Sequence, residues 1–194
     1  SWTNTGSAGN WSLNSGGTPS NSTGPTSGNS GSGNYMYIES SSPNYPSVGP
    51  FTLTSECFDL SNSTNPSLSF YYNMYGAAMG TLNVYANSSL IWSLSGNQGQ
   101  GWNLVQIPLT SVGNTLIIEF EGTTGSSYTS DIAIDDINII NIPVSGCTNP
   151  IACNYDTSAI IDDGSCFYQS NPVIDMSLYT WEFNVQWGCS GTIY

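Results

Sequence analysis

The chain has 194 residues, with 13 Asp and Glu and no Lys, Arg or His, so its formal net charge is −13 at pH 7. That balance excludes nucleic-acid binding, which needs Lys and Arg against phosphates, and disfavours insertion into or onto anionic membranes. It also rules out Ser–His and Cys–His pairs, Lys Schiff bases and Arg oxyanion clamps, leaving carboxylates, Tyr, Cys and a metal for any chemistry.

The length suits one ordinary domain plus a small module. Apolar content is 38%, but 12 Tyr, 6 Trp and 6 Phe supply enough burial to argue against a disordered chain. No run of about 18 apolar residues is present, so no membrane span is expected. The opening SWTNTGSAGNW lacks the basic and apolar regions of a secretion signal, so the chain reads as a mature or internal fragment. Four of its five Cys fall between 147 and 189, which fits an oxidising, extracellular compartment.

In chain order, residues 1–33 are rich in Gly, Ser, Asn and Thr and read as loop with one short strand. Eight β-type runs follow: 35–40, 51–60, 67–75, 81–86, 90–96, 102–109, 115–122 and 131–140, separated by turn signals such as SNSTNP, GAAMG and SGNQGQG. In TLNVYA, Leu82, Val84 and Ala86 share a face, and in WNLVQIPL so do Val105, Ile107 and Leu109. Short alternating strands at this spacing predict an all-β antiparallel sandwich over residues 1–143. Residues 144–168, with Cys147, Cys153 and Cys166, are too few for a core of their own and read as a disulfide-stapled module. Residues 169–194 contain the strand-like MSLYTWEFNVQW and Cys189, a tail or the start of another domain.

The last run, DIAIDDINII, poses an electrostatic question, because Asp135 and Asp136 lie among isoleucines with no basic residue to pair with. Ile132 and Ile134 have one parity, Ile137 and Ile139 the other. A β-bulge at Asp135–Asp136 returns all four to one face and turns one carboxylate aside. Two readings stand: a bulge whose carboxylates accept backbone N–H bonds, or a structural Ca²⁺ site of carboxylate and carbonyl oxygens.

Asp156, Asp162 and Asp163 form a second, weaker calcium candidate, competing with a solvated Asp-Gly turn at Asp163-Gly164. Zinc is disfavoured without His or CxxC spacing. Asn10, Asn21, Asn62 and Asn87 begin N-x-Ser/Thr sequons, which arise easily by chance in so Asn- and Ser-rich a chain. Trp92, Trp102, Tyr71, Tyr72 and Tyr75 are the aromatics that would stack on sugars, against the commoner reading that they are core.

The ordered motifs GTPSNSTGP, YMYIESSSP, CFDL, NPSLSFYYNMYGAAMGTLNVY, WSLSGNQGQGW and SDIAIDDINI resemble MAM domains, particularly those of large secreted Bacteroidota proteins. The resemblance covers about residues 1–142. It implies a jelly-roll β-sandwich with adhesive or recognition function and no catalysis. It also implies a metal site joining a first-strand acid to the SNSTGP loop at Asn21 and to Asp135 and Asp136. The first-strand acid is missing here, and Cys57 stands without the upstream Cys that relatives often carry. Residues 146–166 resemble a GCT…DDGSC spacer repeat of such surface proteins, often near a type IX secretion signal. That pattern implies a Cys147–Cys166 disulfide and leaves the rest of the connectivity open, Cys153 with Cys189 being the remaining pairing to test.

The expected function is therefore a non-enzymatic adhesion segment of a long secreted surface protein, of the gliding or attachment type, with calcium as its ion. Its expected partners are extracellular glycans or surface proteins, or further copies of itself in a filament. The rivals are a carbohydrate-binding accessory module of a secreted hydrolase and a structural filament subunit.

Overall fold

A computed structural model describes residues 1–168. The chain divides after Asn141 into two compact units. The first is a jelly-roll β-sandwich whose twelve strands follow from the alternation just described. They are β1 (Trp2–Asn4), β2 (Ser12–Asn14), β3 (Tyr35–Ile38), β4 (Phe51–Ser55), β5 (Phe58–Asp59), β6 (Pro66–Met74), β7 (Thr81–Ala86), β8 (Ser89–Ser95), β9 (Asn103–Pro108), β10 (Thr115–Leu116), β11 (Ile118–Thr123) and β12 (Ile132–Asn141). Two five-stranded sheets, ordered β1-β4-β11-β7-β8 and β2-β3-β12-β6-β9, face each other, and β5 pairs with β10 beside them. Every pairing among these strands is antiparallel.

The inward positions of both sheets make one core. Leu82, Val84 and Ala86 of β7, Phe120 of β11, Leu68, Phe70 and Met74 of β6, and Ile132 and Ile134 of β12 are all buried in it. Fully burying each large aliphatic or aromatic side chain contributes about 1.5–3 kcal/mol. Phe70 and Phe120 meet edge to face with ring centroids 5.0 Å apart, which joins the two sheets at their centre.

The first 33 residues hold two short strands, where the sequence suggested one. Both are three-residue edge strands, so neither leaves a period long enough to read. Between them, Trp11 is buried in the core and donates its indole N–H to Phe51 O at 2.9 Å. The predicted 51–60 run breaks into β4 and β5 at Glu56 and Cys57.

The unit from Ile142 onward contains β13 (Ser145–Gly146) and β14 (Ile161–Asp162), paired in parallel, and a Cys147–Cys166 disulfide. Cys153 bonds to no other described cysteine, and Cys189 and the strand-like 169–194 segment lie outside the described residues. Among the described residues, no helix is long and apolar enough to cross a membrane.

Candidate functional site

Alternation gives the second sheet an outer face that is also buried. Tyr35, Tyr37 and Ala133 form a small cluster away from the main core, with Trp102 packed on it. The segment between β2 and β3 is strapped across this face. Tyr35 donates its hydroxyl to Gly16 O at 2.6 Å, and Trp102 donates its indole N–H to Ser27 O at 2.9 Å. Burial pushes the Tyr35 phenol up to about 12, so the hydroxyl keeps its proton and its bond.

Asp135 and Asp136 lie at one end of that strap. Between β12 and β6, Asp135 pairs with Tyr71 and Asn138 with Ser69, so β12 carries one extra residue there. This is the bulge the parity change predicts, and Ile137 and Ile139 beyond it pack on the same core as Ile132 and Ile134. Asp136 takes the left-handed conformation, φ 49°, which turns its side chain outward.

The carboxylates are held by amide donors. Asp135 Oδ2 accepts the backbone N–H of Asn29 at 2.9 Å, and its Oδ1 accepts that of Asp136 at 2.8 Å. Asp136 Oδ2 accepts from Asn29 Nδ2 at 3.0 Å. Gly28 allows the strap to come this close, since a Cβ there would lie 2.5 Å from Ser32 O and 3.3 Å from Asp135 Oδ2. The residue that meets the pair is thus Asn29, and no bond joins the pair to Asn21. Asn21 lines a separate hollow with Thr18, Ser20, Thr23, Tyr75 and Gln100. N–H donors occupy three of the four carboxylate oxygens of the pair, an arrangement that suits a hydrogen-bonded bulge better than a cation cage.

The other end of the strap holds two acids the sequence reading passed over, Glu39 and Asp131. Asp131 is fully buried, and its Oδ1 accepts the backbone N–H of Ser40 at 2.9 Å, with Ser40 Oγ at 2.8 Å. Burial raises its carboxyl above the usual Asp value, and the nearby Glu39 charge adds to the rise. Its parity was the available signal: Asp131, Ala133 and Asp135 alternate onto one face, so Asp131 belongs with the buried outer cluster.

In the second unit, Asp156, Asp162 and Asp163 each close a local turn. Asp156 Oδ1 accepts the Ser158 backbone N–H at 2.8 Å and its hydroxyl at 2.6 Å. Asp162 takes the Gly164 N–H at 3.0 Å, and Asp163 the Ser165 N–H at 2.9 Å. The Ser158 and Ser165 bonds hold Asp156 and Asp163 below the usual carboxylate range. Among the described residues, no three His, Cys, Asp or Glu side chains converge as a metal cluster.

Three of the aromatic candidates, Trp92, Trp102 and Tyr72, are engaged in packing, while Tyr71 and Tyr75 are half-buried and Tyr75 lines the hollow beside Asn21. Trp92 meets Phe70 at 5.6 Å and Tyr72 at 5.4 Å, and Trp102 meets Tyr35 edge-on at 5.6 Å. By contrast, the outer face of the first sheet is polar and carries no strap from within the first unit. It has a shallow hollow of about 490 Å³ lined by Thr5, Thr52, Tyr85, Ser88, Glu119 and Glu121. Asn83 Nδ2 and Tyr85 Oη both point at Glu121 Oε1, at 3.3 and 3.4 Å. Burial, and then the Glu121 charge, raises the Tyr85 phenol above its ordinary value, so it donates a hydrogen bond at any physiological pH.

The sequence is similar to several MAM domain-containing proteins. It is 39% identical over 132 residues to MAM domain-containing glycosylphosphatidylinositol anchor protein 1 of Gallus gallus, covering 60% of this chain and 13% of that protein. It is 38% identical over 133 residues to the type 2 protein of Homo sapiens, covering 60% of this chain and 14% of that protein. It is also 40% identical over 78 residues to MAM and fibronectin type III domain-containing protein 1 of Acropora millepora, covering 40% and 18%. The chain thus spans less than a fifth of the length of these relatives. Among solved structures, the galactotriose complex of TmCBM61 superimposes at a TM-score of 0.44 with 14% identity, covering 73% of this chain and 88% of that one. The profile of the MAM domain, meprin/A5/mu, matches residues 1–147, and the chain belongs to that family of adhesion-type extracellular domains.

Proposed function

We propose that this chain is a non-enzymatic recognition module of an extracellular adhesion protein, and that it meets its partner through the uncovered face of β1-β4-β11-β7-β8. The observation that carries this reading is the contrast between the two outer faces. One is closed by the strap, while the other presents Asn83, Tyr85, Glu119 and Glu121 around an open hollow. Carboxylates accept and do not donate, and the chain has no cationic side chain, so the face suits a partner rich in hydrogen-bond donors and positive charge. A basic patch on another extracellular protein fits it best. Trp92 and Trp102 are occupied in packing, which weighs against a sugar-stacking platform. The bacterial setting, a long secreted gliding or attachment adhesin, rests on the likeness of residues 146–166 to a surface-protein spacer.

The test is adhesion of cells or beads carrying the chain to a panel of basic extracellular proteins and to a glycan array. Glu119→Gln with Glu121→Gln is expected to weaken protein adhesion at least tenfold and to flatten its salt dependence. Binding confined to the glycan array and lost on Tyr85→Ala would replace this reading with the carbohydrate one.

A further inference from the structure

Glu39 and Asp131 are brought together by strand register. Ile38 pairs with Ile132 between β3 and β12, so one step further along the same register sets Glu39 opposite Asp131. Directly opposed residues project to the same side with Cβ atoms about 4.5–5.5 Å apart. Like charges so placed repel, and the chain has no Lys, Arg or His to lie between them.

Their inner oxygens are satisfied differently from their outer ones. Glu39 Oε1 accepts the Ser41 N–H at 3.0 Å and faces Ser20 Oγ at 3.4 Å, and Asp131 Oδ1 is held by Ser40. Glu39 Oε2 and Asp131 Oδ2 are both buried and have no hydrogen-bond partner among the described residues. Each unpaired buried carboxylate oxygen costs several kcal/mol if its charge is retained. A positive charge shared by the two acids would offset their repulsion and the missing hydrogen bonds together.

Hydroxyl oxygens lie close by. The Thr18 side chain interacts with Asp131, and its hydroxyl donates to Thr23 O at 3.0 Å. Ser20 Oγ lies 3.0 Å from Ser41 Oγ. Gly24, at φ +65°, lets the loop fold over this end, because a Cβ there would lie 2.5 Å from Thr18 Oγ1. The loop is pinned by Gly24 N–H and Thr23 Oγ1, which donate to Tyr75 O at 2.9 and 3.0 Å.

We propose that Asp131 Oδ2 and Glu39 Oε2 share a hard cation, calcium first, bound beneath the loop of residues 17–25 with hydroxyls and water completing its shell. The site is distinct from the Asp135–Asp136 bulge at the far end of the strap. With two carboxylates it belongs to the weak class of extracellular calcium sites, with Kd on the order of 10⁻⁴–10⁻³ M. The competing occupant is a single proton held between the two acids.

The test uses the full chain, stripped with chelator, at pH 7.5. Calorimetric melts in about 10 mM CaCl₂ should exceed those in EDTA by roughly 5–10 °C. NaCl at matched ionic strength should give less, and calcium titration followed by calorimetry should saturate at one ion per sandwich. Glu39→Gln should lose most of the calcium shift, and Asp131→Asn all of it, while Asp135→Asn with Asp136→Asn should keep it. Glu39 is only half-buried, so its variant serves even if Asp131→Asn fails to fold. Equal melting in CaCl₂ and EDTA would overturn the proposal in favour of the shared proton. A shift matched by NaCl would reduce it to screening, and one lost only in the Asp135/Asp136 variant would move the ion to the bulge.

Discussion

The bulge makes a quantitative prediction through Asp135. Replacing it with Ala removes the acceptor for two backbone amides, Asn29 N–H at 2.9 Å and Asp136 N–H at 2.8 Å. Hydrogen bonds to a charged acceptor contribute about 1.5–3 kcal/mol when buried; the Asn29 bond is part-buried and the Asp136 bond exposed, so about 1–1.5 kcal/mol each is the fitting range. Asp135→Ala should therefore destabilise the sandwich by about 2–3 kcal/mol. At about 3 °C per kcal/mol for a domain of this size, the melting temperature should fall by roughly 6–9 °C. Asp135→Asn keeps one acceptor oxygen and turns an NH₂ toward the other donor, so its loss should be about half as large. Thermal melts and urea titrations of both variants in EDTA supply the assay, and the denaturant slope should not change. If Asp135→Ala melted within about 1 °C of the parent, the amide bonds would not be what fixes the bulge.

Asp131 makes a pH prediction. Its carboxyl is raised in the folded chain, so between the ordinary Asp value and the raised one the folded state binds more protons than the unfolded state. Stability contributed by this group is present below the unfolded value and is lost as pH rises through the folded one. In EDTA, lowering pH from neutral toward the ordinary Asp value should raise the melting temperature, and Asp131→Asn should remove that rise. In the core, Phe120→Ala should cost about 3–5 kcal/mol, because the ring is buried and contacts Phe70 at 5.0 Å and Trp2 at 5.8 Å. Urea unfolding with an unchanged slope checks it. Reducing Cys147–Cys166 opens a loop whose ends are 19 residues apart, worth about 3 kcal/mol of chain entropy. Hydrogen exchange should then show lost protection in residues 142–168 with the strands of the sandwich still protected.

The longer sandwich strands from Tyr35 onward were legible where they carry a two-residue period against a single core, as in β7, where a slip by one residue would expose Leu82, Val84 and Ala86 together. The bulge was legible for the same reason, since only an extra residue reconciles the parities of Ile132 and Ile139. The strap over the second sheet was not. Its sequence is nearly all Gly, Ser, Thr and Asn, and its placement depends on single hydrogen bonds such as that from Trp102 to Ser27, which leave no periodic trace. Asn29 was hidden within that composition. Asp131 was visible in parity but overshadowed by the adjacent pair, because a burial argument requires knowing that the sheet is covered on both faces.

The strap has a consequence for how this module can change. On the covered face, a substitution must satisfy strand, loop and two acidic ends at once, so Tyr35, Tyr37, Ala133 and Asp135 are bound to one another's identities. On the open face, alternation separates Asn83, Tyr85, Glu119 and Glu121 from the core residues between them. Those four positions can be exchanged as a set with little effect on folding. A new binding specificity would therefore be installed most easily there, by selection in nature or by a library built on strands β7 and β11.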